Sequence, residues 1–181
     1  MAELPTGTVT FLFTDVEGST KLWERYPEAM PATMARHDEV LRGVMESSGG
    51  FVFKTIGDAF CVAFPSAPHA LEAALAAQRA LIAEAWEKTG PLLTRMALHT
   101  GSAEERGGDY FGPPVNRVAR LLSAGHGGQV LLSSATQELV RDALPEGVSL
   151  RDLGERRLKD LFRPERVFQL ITPELPTSFR P

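Results

Sequence analysis

Asp15 stands where the apolar run Thr8–Thr14 (TVTFLFT) gives way to Val16-Glu17-Gly18-Ser19-Thr20, a turn that opens a helix. Backbone N–H groups at such a helix start, from Glu17 through Gly18, Ser19 and Thr20, point outward and favour phosphate oxygens. A carboxylate beside them would repel a phosphate unless a cation lay between, so Asp15 reads as a metal ligand. A second cluster, Lys54-Thr55-Ile56-Gly57-Asp58, sets another carboxylate at a hairpin tip. Two carboxylates meeting at a phosphate site hold magnesium, with the substrate supplying further oxygens. A third cluster runs from Asp109 to Arg120 (DYFGPPVNRVAR). Asn116 and Arg120 are four apart and share one helix face, where they suit a sugar and a phosphate. Taken singly, each cluster also reads as solvated polar residues of a turn or helix face.

The elements that must position these groups follow from patterning. Thr8–Thr14 is β-branched and aromatic and predicts a buried strand. Ser19 or Thr20 suits the cap of a helix that runs, interrupted near Pro27 and Pro31, to about Ser47. Phe51–Ile56 and Ala59–Phe64 read as strands joined by Gly57-Asp58, a short-hairpin signal. The Ala-rich stretch Ala67–Glu87 predicts a helix, and Leu92–His99 a strand. Thr100–Gly112 is polar and Gly-rich and reads as a loop or flexible arm before a helix carrying Val115–Ser123. Val130–Ser133, Val148–Leu153 and Val167–Ile171 read as strands, Ala135–Leu144 as a helix, and Pro173–Pro181 as a frayed tail. The order β-α-β-β-α-β, then α-β-α-β-β, begins with the split βαβ arrangement of ferredoxin-like folds. The predicted class is therefore α+β: a ferredoxin-like core with a mixed, largely antiparallel sheet and extra C-terminal α/β elements. The 181 residues fit one domain, with its core over about 8–172.

Composition narrows the partners. A net charge of −4 argues against coating nucleic acid or anionic membrane. No apolar run approaches the roughly 20 residues of a membrane span, and the N-terminus lacks the pattern of a signal peptide, so a cytoplasmic location is expected. Cys61, the only cysteine, lies in an apolar run and reads as a reduced core residue. His37, His69, His99 and His126 are scattered and read as structural or exposed.

In combination the clusters say more. Phe-Thr-Asp-Val-Glu-Gly-Ser-Thr (13–20), Lys-Thr-Ile-Gly-Asp-Ala-Phe (54–60) and Asp-Tyr-Phe-Gly-x-x-Val-Asn-x-x-Ala-Arg-Leu (109–121) together strongly resemble the class III adenylyl and guanylyl cyclases. The similarity extends from about Thr8 to Leu170, and Arg157–Leu161 with Val167–Leu170 resembles the closing strands of a bacterial subgroup. The resemblance implies the class III cyclase fold and conversion of ATP to cyclic AMP and pyrophosphate. It implies two divalent metal ions, Mg²⁺ or Mn²⁺, held by Asp15, Asp58 and the Val16 carbonyl. Arg95 and Lys159 match triphosphate-binding positions, and Lys54 and Asp109 the two base-reading residues. Asn116 matches the residue that orients the ribose, and Arg120 the one that stabilises the transition state. It also implies a homodimer with two shared sites, each taking its metal aspartates from one subunit and Lys54, Asp109, Asn116 and Arg120 from the other. Similar bacterial domains are often fused to regulatory modules, so a fused or associated regulatory domain is a further expectation. Alternatives are a guanylyl cyclase and an inactive cyclase-like domain that binds nucleotide. Gly107-Gly108-Asp109-Tyr110-Phe111 also looks like the signature of bacterial diguanylate cyclases, where it forms a hairpin tip. Here residues 107–111 are read as the approach to a helix, which sets that reading aside.

Overall fold

The computed structural model describes residues 3–179. Strand β1 (Gly7–Val16) is followed by helices α1 (Ser19–Arg25) and α2 (Met30–Ser47), then the hairpin β2 (Phe51–Ile56) and β3 (Ala59–Phe64). Helix α3 (Ala67–Ala83) leads to β4 (Thr94–Arg106), β5 (Asp109–Phe111) and helix α4 (Pro113–Ser123). Strand β6 (Val130–Ser133), helix α5 (Ser134–Val140), β7 (Ser149–Arg156) and β8 (Glu165–Ile171) complete the chain. The strands lie in the order β2-β3-β1-β4-β6-β8-β7, with β5 paired only to β4. All pairings are antiparallel except β4 with β6, which makes the sheet mixed. The α+β class with a mixed sheet is as expected.

Alternation along the strands buries both faces of the sheet. Leu12, Phe60, Val62, Phe64, Met96, Leu98, Val130 and Leu132 face α2, α3 and α5, joining Leu41, Met45, Leu71 and Val140 in one cluster. Their neighbours Val9, Phe11, Phe13, Cys61, Ala97 and Leu131 face the other way, toward Tyr110 and toward Val118 and Leu121 of α4. Cys61 is a free, buried thiol whose pKa burial pushes up to about 11. No helix among the described residues is long and apolar enough to cross a membrane.

Three local expectations need correction. The first helix is interrupted at Pro27 as expected, with α1 ending at Arg25, but Pro31 lies in the first turn of α2, and the N-cap of α1 is Gly18 at φ 68°, with no side-chain cap from Ser19 or Thr20. The polar arm is strand, because β4 continues to Arg106 and turns back into β5. Gly107 and Gly108, at φ 61° and 81°, make that turn, a conformation that only glycine adopts without strain. Residues 107–108 are thus a hairpin tip, and the ground on which the diguanylate cyclase reading was set aside does not hold. Finally, Pro173–Phe179 is packed where fraying was expected. Leu175 is buried, Arg151 donates to the Thr177 carbonyl at 2.8 Å, and the Phe179 ring stacks on His126. Arg180 and Pro181 lie outside the described residues.

Candidate active site

Two groups of polar side chains form at the sheet, and no ion pair or hydrogen bond joins them among the described residues. The first gathers where β1 ends. Cross-strand register sets Asp15 opposite Arg95, and the guanidinium grips both carboxylate oxygens, Nε to Oδ1 at 2.6 Å and Nη2 to Oδ2 at 2.5 Å. This pairing raises the Arg95 pKa above its ordinary value, with Glu17 and Asp58 adding to the negative field around it. Asp58 reaches the same end from the tip of the β2–β3 hairpin, since β3 runs beside β1 with Phe60 opposite Thr14.

The Asp58 Oδ2 oxygen is buried and has no hydrogen-bond partner. A buried carboxylate oxygen without a donor is costly, and a cation is one group that would satisfy it. Two carboxylates and the Val16 carbonyl are hard oxygen donors that suit Mg²⁺ or Mn²⁺. No three His, Cys, Asp or Glu side chains converge among the described residues, so a cation here needs further ligands from water or substrate.

Glu17 departs from the expectation of a phosphate-binding residue. Its backbone N–H donates to the Leu93 carbonyl at 2.8 Å, and its carboxylate accepts the Gly127 N–H at 3.0 Å. A Cβ at Gly127 would come within 2.4 Å of the Leu93 Cβ, so that approach requires glycine. Glu17 therefore anchors the loop. The N–H groups at Gly18, Ser19 and Thr20 open the first turn of α1, where helix geometry leaves donors without internal partners.

The second group lies on the face that carries α4. Lys54 Nζ and Asp109 Oδ2 form an ion pair at 2.8 Å, linking β2 to β5. A β-bulge explains the meeting. Val52 pairs with Val62 but Lys54 pairs with Cys61, so Phe53 is the extra residue. In an unbroken strand Lys54 would share the face of Val52, which packs toward α2 and α3. The bulge turns it to the face of Cys61. Phe53 then meets the Tyr110 ring at 4.8 Å, edge to face, and Tyr110 donates its hydroxyl to the Pro5 carbonyl at 2.6 Å. This aromatic contact fixes the residues next to Lys54 and Asp109. Asp109 also accepts the Tyr110 N–H at 2.7 Å, and Lys54 followed by that N–H holds its carboxyl below the usual range.

Asn116 and Arg120 lie on α4, Asn116 exposed and Arg120 partly so. Arg120 Nη2 pairs with Asp160 Oδ2 at 2.8 Å, a partner that sequence reading missed because it lies forty residues on in a loop. Arg117 pairs separately with Glu165 at 3.3 Å. Lys159 is exposed in the loop between β7 and β8.

Comparison with known proteins gives these clusters a context. The family model for the adenylate and guanylate cyclase catalytic domain matches residues 1–171. An uncharacterized Mycobacterium tuberculosis protein is 43% identical over 179 residues, covering 98% of this chain and 60% of its own length. An adenylate cyclase of Neurospora crassa is 33% identical over 222 residues, covering 92% of this chain and 10% of that protein. Among solved structures, a Trypanosoma brucei adenylate cyclase in its monomeric state is similar with a TM-score of 0.84 and 26% identity, covering 98% of this chain and 94% of that one. The chain thus spans about 60% of the Mycobacterium relative and far less of the fungal enzyme. The family match, and not the position of a hairpin, is what removes the diguanylate cyclase reading.

Proposed function

The chain belongs to the adenylate and guanylate cyclase catalytic-domain family, and we propose that it is an adenylyl cyclase converting ATP to 3′,5′-cyclic AMP and pyrophosphate. The observation that carries the choice of ATP is the Lys54–Asp109 pair. Adenine offers an acceptor at N1 and a donor amine at N6; lysine has only donors and an ionised aspartate only acceptors. The ion pair occupies one of the three Lys54 donors, so donors remain for N1, and Asp109 keeps lone pairs for the amine. Guanine reverses both groups.

In the reaction the ribose 3′-hydroxyl gives up its proton to solvent and its oxygen bonds to the α-phosphorus, while the bond from that phosphorus to the oxygen bridging to the β-phosphate breaks and pyrophosphate leaves. Positioning and charge neutralisation carry most of the barrier reduction in such transfers. Asn116 orients the ribose, and Arg120 neutralises charge growing on the α-phosphoryl oxygens. Arg95 and Lys159 bind the triphosphate, with the backbone N–H groups of Gly18, Ser19 and Thr20. Asp15, Asp58 and the Val16 carbonyl would hold divalent metal, which when bound neutralises phosphate charge and lowers the pKa of the attacking hydroxyl. Arg95 must then share or release Asp15, with which it pairs in the free chain.

Among the described residues the two groups of side chains make no polar contact with each other within one chain, which supports a homodimer with two shared sites. The single catalytic domain spans the whole chain, and a fused or associated regulatory domain belongs to the same proposal. The proposal is tested by incubating the chain with ATP and Mn²⁺ and resolving the products. Cyclic AMP and pyrophosphate in equal amounts are expected. A verified dimer that binds ATP without turnover would establish a nucleotide-binding module instead.

A further inference from the structure

Asp160 is the only described residue other than glycine with a positive φ, at 64°. It sits in a turn closed by the Leu161 N–H donating to the Leu158 carbonyl at 3.2 Å, so Lys159 and Asp160 are its two central residues. A left-handed third position favours glycine, and among other residues asparagine and aspartate tolerate it best. Glycine would fill this place with less strain. The carboxylate does have a task, because it meets Arg120 at 2.8 Å. Conformational outliers of this sort persist where the surroundings impose them, and they cluster at functional sites.

The turn is fixed relative to α4. Leu158 is buried, Leu161 packs on the same apolar cluster, and that cluster contains Val118 and Leu121 from either side of Arg120 along the helix. The polar corner of the turn is therefore held beside Arg120 by apolar contacts on both flanks. The nearest approach is Arg120 Nη2 to Asp160 Oδ2 at 2.8 Å, an ion pair whose side chains are 39% and 62% exposed, and no hydrogen bond from Nε or Nη1 is made among the described residues. Bidentate capture would lock the fork as Asp15 locks Arg95; a single contact orients it and leaves donors for a second anion.

We propose that Asp160 is a positioning residue that holds the Arg120 guanidinium ready for the α-phosphoryl group through catalysis. The inference rests on the cyclisation proposed above and on the place of Arg120 in it. Asp160 does not touch the nucleotide; it restricts the arginine rotamers from which the transition state is stabilised. Its loss should therefore lower kcat and leave KM for ATP unchanged.

Two substitutions suit the left-handed backbone and remove the charge, Asp160→Gly and Asp160→Asn, so both keep the turn. In the dimer with ATP and Mn²⁺, each is expected to lower kcat roughly fivefold, the scale of a partly exposed ion pair, at constant KM. In an Arg120→Ala background, Asp160→Gly should leave the residual kcat where it is. An unchanged kcat in both single variants overturns the role. So does an equal fractional loss with and without Arg120, which would mark a purely structural effect of the turn. Absence of cyclic AMP from the unaltered chain would overturn the proposed reaction and this role with it. Turnover by the unaltered chain with no loss in the variants dismisses Asp160 alone.

Discussion

Asp15 and Asp58 enter the same end of the sheet in different electrostatic states. Asp15 is neutralised by a forked arginine, whereas Asp58 keeps a buried oxygen that nothing bonds. Replacing either with Ala should abolish turnover and preserve the fold by circular dichroism; a variant retaining substantial activity would remove that residue from the metal site. The proposed base-reading pair, Lys54 and Asp109, makes a second residue-scale prediction. Replacing Lys54 with Glu exchanges a donor for an acceptor and replacing Asp109 with Cys an acceptor for a weak donor, so kcat/KM for ATP should fall by roughly 10²-fold, two mismatches against a bound base that excludes water costing about 1–3 kcal/mol each. Unaltered ATP turnover in that double variant would show that these side chains do not read the base. Both pairs of residue types stood in the sequence. The ion pair between Lys54 and Asp109 did not, because it depends on a bulge and a strand absent from the predicted pattern.

The elements differ in how openly the sequence declares them. Strands β1, β2 and β3 and helices α3 and α4 are dense in apolar residues at one period and were legible within a few residues. Strand β5 was hidden, since its three residues follow a polar stretch whose alternation of Glu, Arg and Gly carries no apolar signal. The bulge at Phe53 was hidden too, because Phe51-Val52-Phe53 reads equally well on either face. Asp160 is opaque for another reason: its backbone angle and its partner are both products of tertiary packing. A buried polar chain gives the elements their own test. His99 Nδ1 meets Ser133 Oγ at 2.6 Å, Ser133 caps α5, and Thr10, Thr100 and Thr136 bond in series at 2.9 Å. Burial pushes the His99 pKa down to about 4, with Arg117 contributing. The unfolded chain protonates this imidazole near pH 6.5, so between those limits it binds a proton that the folded chain excludes. Stability should therefore fall as pH drops from about 6.5 toward 4, by up to about 1.4 kcal/mol per pH unit from this group. Urea midpoints for the unaltered chain and His99→Gln should converge on acidification; parallel pH dependence would remove His99 as the source.

At the scale of the molecule, the polar groups divide into two sets carried by one chain, and the proposed homodimer would have a second copy bring one set to the other. Asp58→Ala should be inactive alone and Arg120→Ala should keep only a small residual rate, the arginine loss costing roughly 10³–10⁵ by analogy with arginine fingers. Mixed, they should regain activity through the one site that keeps a full set. Mixed dimers that form and stay inactive would rule out sharing between subunits. Selectivity between nucleotides tests the central claim most directly, because it follows from the proposed reading of adenine by Lys54 and Asp109. Steady-state kcat/KM for ATP and for GTP, measured on the unaltered chain with Mn²⁺ and product identification, should differ by at least roughly 10²-fold in favour of ATP; equal values, or a preference for GTP, would contradict the assignment as an adenylyl cyclase.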